Sequence, residues 1–156
     1  AQVPRIDCAY VPQPAPGWQT RPNMANAATE QSTDCPFCNL PESRIVHANA
    51  LAAAVRDAYP VAPGHTLVIP RRHAGSFFEL HPAEQAAMLA LLDQARAALD
   101  GEFAPDGYTI GINDGAAAGQ TVPHVHLHLI PRHRGDVEDP RGGIRWVLPA
   151  KAKYWP

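Results

Sequence analysis

The chain is expected to fold as an α+β domain on an antiparallel sheet, and three observations carry that expectation. Several short aliphatic runs follow one another, separated by proline, glycine and asparagine turns. One long segment, Pro82 to Leu99, places apolar residues at helical spacing. The stretch Gln120-Thr-Val-Pro-His-Val-His-Leu-His-Leu-Ile-Pro131 alternates three histidines with three aliphatic residues. Successive strand side chains point to opposite faces, so His124, His126 and His128 are expected on one face and Val125, Leu127 and Leu129 on the other.

At 156 residues the chain fits one domain with a core of useful size. A net charge of −2 and scattered arginines give no case for a nucleic-acid partner. No apolar run has the length of a membrane-spanning helix and no signal-peptide core opens the chain, so a cytoplasmic protein without a membrane partner is expected. Of three cysteines, two form a Cys-x-x-Cys pair, which does not read as a disulfide framework.

Residues 1–33 are rich in proline, alanine, glutamine and asparagine without hydrophobic periodicity, and read as an irregular arm that Tyr10 and Trp18 would anchor. Asp34-Cys-Pro-Phe-Cys-Asn-Leu-Pro41 comes next. The same tetrad opens a helix in thiol-disulfide oxidoreductases, but Pro41 stops a helix here, and a zinc knuckle needs such a tight turn plus two further ligands. Arg44 to Asp57 reads as a hairpin turning near Asn49. The Ala62-Pro63-Gly64 turn leads into a strand over His65 to Pro70. The helix follows, with proline in its first turn, and is expected to pack rather than catalyse. Gly107 to Asn113 is a strand, Asp114 to Thr121 a loop, and the histidine strand succeeds it. From Arg132 to Pro156 helix signals are lacking, and the segment is expected to wrap over a surface.

Three imidazoles on one face disfavour one another's protonation, which keeps a lone pair available near neutral pH. His124 and His128 would stand about 13 Å apart at about 3.3 Å per residue, so three histidines cannot share one ion, although two can. His126, flanked on both sides, is the expected nucleophile. The loop before it consists of glycine and alanine, with Asn113, Gln120 and Thr121 as neutral donors suited to an anion. It differs from a Walker loop in its glycine spacing and in having no lysine, which excludes triphosphatase chemistry of that class.

Gly64-His-Thr-Leu-Val-Ile-Pro-Arg-Arg-His73, then a helix, then Ala118-Gly-Gln-Thr-Val-Pro-His-Val-His-Leu-His-Leu-Ile-Pro131, resembles the histidine triad (HIT) family over roughly residues 35–135. The resemblance implies a HIT fold over residues 34–135, with one long helix and a short one, assembled as a homodimer, and residues 136–156 as a C-terminal extension packed on it. It implies attack by His126 on the α-phosphorus of a nucleotide, a covalent nucleotidyl-histidine, and cleavage of that intermediate by water. By the same resemblance His65 and His128 orient the nucleophile and support the phosphate and leaving group, and His124 belongs to the catalytic set. Asn113, Gly119, Gln120 and Thr121 correspond to phosphate contacts, Asp57 to a ribose contact, and Phe37 and Leu40 to residues around the base. In bacterial relatives with a Cys-x-x-Cys pair, structural zinc is held by positions matching Cys35, Cys38, His73 and His124; no organic cofactor is implied.

The C-terminal segment from Gly135 is similar to that of relatives described as diadenosine-polyphosphate hydrolase-like, which makes a dinucleoside polyphosphate the expected substrate. A purine nucleoside phosphoramidase is the runner-up, and a nucleotide-binding module with vestigial activity a reading from another class. Transferases and phosphorylases of the family replace the third histidine with glutamine, whereas this chain keeps His128. Arg71, Arg72, Arg132, Arg134 and Arg145 are candidates for the distal phosphates, though solvated surface is the simpler reading for each. Removing zinc is expected to cost stability before it costs chemistry.

Overall fold

The computed structural model describes residues 34–155. The arm over residues 1–33, with Cys8, Tyr10 and Trp18, lies outside the described residues. Five strands, β1 (Ile45–Ala48), β2 (Ala52–Arg56), β3 (Thr66–Pro70), β4 (Gly107–Ile112) and β5 (Leu127–Arg132), form one sheet in the order β1-β2-β3-β5-β4, and every neighbouring pair is antiparallel. The long helix α1 (Pro82–Phe103) connects β3 to β4, and a single turn, α2 (Pro149–Ala152), lies near the C-terminus.

The hairpin turn falls where expected, because the Asn49 side-chain oxygen accepts from the amides of Leu51 and Ala52 and closes it. The alanine-rich β2 is what lets α1 approach the sheet closely. Ala52 and Ala54 on β2 join Val68 on β3 and Leu127 and Leu129 on β5 beneath Met88, Leu91, Ala95 and Leu99 of α1. Gly64 permits the same close approach at the helix's far end: with φ +82°, a Cβ there would lie 2.8 Å from Leu99 and Phe103.

Two expectations change. The helix runs four residues beyond Leu99, through Gly101, and ends with Ala104 in the left-handed region at φ 46°. Gly101 looks like a stop in sequence, but Phe103 still has the core and the Arg56 guanidinium, 5.6 Å from its ring, to pack against. The C-terminal segment is also not devoid of helix: a 3-10 stretch over Gly143–Val147 leads into α2, which Pro149 starts. There Arg141 lies 4.7 Å over the Trp155 ring and Arg145 5.0 Å over Tyr154. Among the described residues, no helix is long and apolar enough to cross a membrane.

Candidate active site

The histidine alternation holds only in part as a strand. β5 begins at Leu127, so His128 alone of the three sits on it, while His124 and His126 lie in the irregular approach. Pro70 at the end of β3 explains this, because it has no N–H with which to extend the ladder. The incoming chain instead bonds elsewhere: Val125 N–H donates to Ala74 O at 2.7 Å, and His124 Nε2–H donates to Pro70 O at 3.0 Å. The bend buries His124 and His126, at 1% and 7% exposure, and turns them toward different partners.

His124 faces the Cys35–Cys38 turn. With its Nε2 proton committed to Pro70, its Nδ1 lone pair points at Cys35 Sγ, 3.4 Å away, and Cys38 Sγ, 3.6 Å away, while Cys38 Sγ lies 3.2 Å from His73 Nδ1. These four donor atoms lie within 4.8 Å of one another, and among the described residues no disulfide forms. Tetrahedral zinc with ordinary Zn–S and Zn–N bonds requires ligand separations of about 3.6 Å, so the donor set, its spacing and the tautomer fit such an ion. Burial pushes the His124 imidazole down to about 4, opposed by its bond to Pro70, which keeps the ring a neutral ligand.

His126 faces the other way. Its Nδ1–H donates to the His124 carbonyl at 2.9 Å, which leaves the lone pair on Nε2. Phe37, from the middle of the cysteine turn, packs edge-on against both rings, at 5.2 Å from His126 and 5.7 Å from His124. The His128 ring lies 5.0 Å from that of His126.

Behind His126 runs a chain of polar contacts that sequence spacing does not reveal. Asp57 Oδ2 lies 3.2 Å from His65 Nδ1, and His65 Nε2 lies 3.0 Å from His128 Nδ1. The amide of Val61 approaches the same His65 Nδ1 at 3.4 Å, but the carboxylate is nearer and anionic, so it selects the Nδ1–H tautomer. His65 Nε2 must then accept from His128 Nδ1–H, which leaves a lone pair on His128 Nε2. That atom is buried and has no hydrogen-bond partner among the described residues. Burial pushes His128 down to about 4, with His126 and His65 adding to the effect, and burial also lowers His65 against the pull of Asp57. A buried acceptor without a donor is costly and marks a place for a ligand proton or water.

The glycine loop is clasped onto the neighbouring turn. Gln120 Oε1 accepts from Gly115 N at 2.7 Å while its Nε2–H donates to Gly75 O at 2.7 Å, and Asp114 Oδ2 accepts from Ser76 Oγ and Phe77 N. The Gln120 amide, expected to meet phosphate, is thus engaged within the protein. The Asn113 amide and Thr121 hydroxyl make no hydrogen bond among the described residues, and Gly119, at φ 90°, shapes the loop. Leu40 is half-buried just past the cysteine turn. Asp114 was missed in sequence, where only its position after a strand hints at a turn role.

The five arginines bind their own chain. Arg72 forms a two-pronged pair with Glu84 and Arg132 one with Asp136; Arg134 lies 3.5 Å from Asp106; Arg71 donates to Asn49 O and Arg145 to Ala152 O and Lys151 O. A cavity of about 380 Å³ lined by Arg132, His133, Arg134 and Asp136 opens at the end of β5 remote from His126 and contains none of the triad.

A profile of the HIT domain matches residues 40–135. The chain belongs to the HIT family. It is 37% identical over 97 residues to the asymmetrical bis(5'-nucleosyl)-tetraphosphatase of Schizosaccharomyces pombe, covering 62% of this chain but 53% of that protein. It is 31% identical over 116 residues to the AP-4-A phosphorylase of Mycobacterium tuberculosis, covering 74% of this chain and 60% of that protein. A zinc-bound histidine triad family protein from Mycobacterium smegmatis superposes with a TM-score of 0.58 at 37% identity, over 76% of this chain and 94% of that one. The chain thus spans about half to three-fifths of these two curated relatives.

Proposed function

We propose that this HIT protein hydrolyses a nucleotide at its α-phosphate through a covalent nucleotidyl-His126, with a dinucleoside polyphosphate as substrate. The observation that carries the proposal is the pair of tautomers: His126 is locked with its lone pair on Nε2, and His128 keeps a second buried lone pair beside it. The tetraphosphatase and phosphorylase names of the two relatives support the substrate class.

In the first step the His126 Nε2 lone pair forms a bond to phosphorus, and the bond from phosphorus to the bridging oxygen breaks, its electron pair leaving on the departing phosphate chain. The ring becomes cationic, and its Nδ1–H bond to the His124 carbonyl strengthens as charge develops. In the second step a water attacks phosphorus while its proton passes to His128 Nε2. The resulting cation is stabilised through His65 by the Asp57 carboxylate, and the electrons of the P–N bond return to His126. Asn113, Gly119 and Thr121 are assigned to phosphate oxygens, Gln120 to shaping their loop, and Phe37 and Leu40 to the base.

Zinc on Cys35, Cys38, His73 and His124 would tie the cysteine turn to the approach of β5, as a structural rather than a catalytic ion. A homodimer in the cytoplasm belongs to the same reading. Phosphorolysis is the second reading: the similarity to the mycobacterial phosphorylase favours it, and the third histidine kept at His128 counts against it. It differs only in the final acceptor, since inorganic phosphate would take the nucleotidyl group in place of water. A panel of diadenosine polyphosphates and adenosine phosphoramidates, each with and without inorganic phosphate, tests both. Hydrolysis of polyphosphates without added phosphate is the expected result. Strict dependence on phosphate overturns it in favour of the phosphorylase, and turnover of phosphoramidates alone favours the runner-up.

A further inference from the structure

We propose that Phe37 and the metal-binding cysteine turn position the nucleophile, so that metal occupancy governs the orientation of the His126 ring and not only the stability of the fold. The inference rests on the function proposed above. It arises because His124 stands at a junction of three bonds: its Nδ1 faces the two cysteine sulfurs, its Nε2–H donates to Pro70 O, and its carbonyl accepts from His126 Nδ1–H. A ligand bond to Nδ1 fixes the residue whose carbonyl selects the nucleophile's tautomer.

A second link runs through Phe37. It lies between the two cysteines in sequence, so a metal drawing Cys35 and Cys38 together fixes the turn that carries the ring. That ring packs edge-on to His126 at 5.2 Å and to His124 at 5.7 Å, with interplanar angles of 63° and 87°. The His128 ring makes a second edge-type contact with His126, at 5.0 Å. His126 is thus held by three contacts, the Phe37 ring, the His128 ring and the His124 carbonyl at its Nδ1, and turning the ring away from the carbonyl breaks the bond that selects its tautomer.

Loss of the metal releases both links at once. The His124 ring keeps its bond to Pro70 but loses its anchor to the cysteines, and Phe37 loses the constraint that presses it on His126. Outer ligand-shell changes typically cost tenfold to a hundredfold in affinity or activity, and a loss of that size in the nucleotidylation step is expected here.

The test uses full-length protein with ¹⁵N-labelled histidine. The zinc-loaded form should show His126 with a protonated Nδ1 and an unprotonated Nε2. After zinc removal, that signature should give way to averaged tautomers, and the single-turnover rate of nucleotidyl transfer to His126 should fall about tenfold or more with little change in KM. If the stripped protein unfolds, Phe37→Leu in the zinc-loaded protein carries the test, because it keeps the metal and the apolar bulk. It should broaden the His126 signals and lower the single-turnover rate while zinc content and Tm stay near native. A folded, zinc-free protein with the native tautomer signature and rate would overturn the proposal, as would a Phe37→Leu protein that changes KM alone. Absence of any nucleotidyl adduct in the native protein would instead refute the proposed function, and the nitrogen spectra would still decide whether the metal governs the ring.

Discussion

Asp57→Asn separates two roles for a residue that the resemblance to the HIT family assigns to ribose. In the structure one carboxylate oxygen lies 3.2 Å from His65 Nδ1 and the other accepts from Tyr59 N at 2.9 Å, so Asp57 sets the direction of the Asp57–His65–His128 chain. An asparagine that keeps its oxygen toward His65 preserves the tautomers but loses the charge that stabilises a cationic His128. Hydrogen bonds to charged groups are worth about 1.5–3 kcal/mol, which corresponds to about tenfold to 150-fold in rate. An asparagine that turns its amide N–H to His65 reverses both histidines and puts the proton on His128 Nε2. The lone pair proposed to receive water's proton is then gone, and loss of a positioned general base costs about 10²–10⁴-fold. The expected result is a fall in kcat of about 10²–10³-fold, or about 2.7–4 kcal/mol of barrier, with KM changed much less. Rapid-quench kinetics should show the deficit mainly in breakdown of the nucleotidyl-enzyme, which accumulates. A variant with kcat within about threefold of native and a raised KM would refute the relay and leave Asp57 as a ribose contact alone.

Stability should fall as the solution is acidified from pH 6.5 toward 4. His128 binds its proton near 6.5 when unfolded and near 4 when folded, so its contribution is fully present above 6.5 and lost as pH drops through the folded value. Linkage puts that loss at about 2 kcal/mol by pH 5; urea titrations of native protein and His128→Gln should differ by about this amount in the stability each loses between neutral pH and pH 5, and equal losses would contradict the assignment. Met88→Ala removes a side chain with 0% exposure from under the sheet and should cost about 2–5 kcal/mol in urea unfolding, without altering the tautomer of His126; a cost under about 1 kcal/mol would mean the helix is not packed as described. Glu84, whose carboxylate accepts from Arg72 and from His81 N, is held below the usual carboxylate range by Arg72. Glu84→Ala takes the carboxylate from Arg72, leaving it its bond to the Glu79 carbonyl, and should cost about 1–3 kcal/mol, read as a lowered Tm; an unchanged Tm would refute that pairing.

Much of the fold is legible in the residues themselves. Helical spacing after Pro82, the Asn49 turn and the Ala62-Pro63-Gly64 turn are local signals, and the elements formed where those signals stand. What escaped depended on distant partners. The helix crosses Gly101 because Phe103 finds Arg56 and the core, and the histidine strand starts late because Pro70, on another strand, offers no N–H. The site divides in the same way. The histidines and cysteines announce themselves by type and spacing, and the resemblance to the HIT family assigned them. The Asp57–His65 contact depends on the antiparallel register of β2 and β3, extended by Asp57 N–H to His65 O at 3.0 Å, and no spacing rule supplies it. Gln120 shows the opposite case: an amide beside a glycine loop suits phosphate chemically, yet the fold engages both of its ends in holding the loop.

The most direct measurement mixes native protein rapidly with a dinucleoside polyphosphate, quenches in alkali to preserve a phosphoramidate, and maps the adduct by mass spectrometry. One nucleotidyl group per chain is expected, carried on His126 and absent from His126→Ala. Turnover without any adduct, or an adduct on another residue, would contradict it.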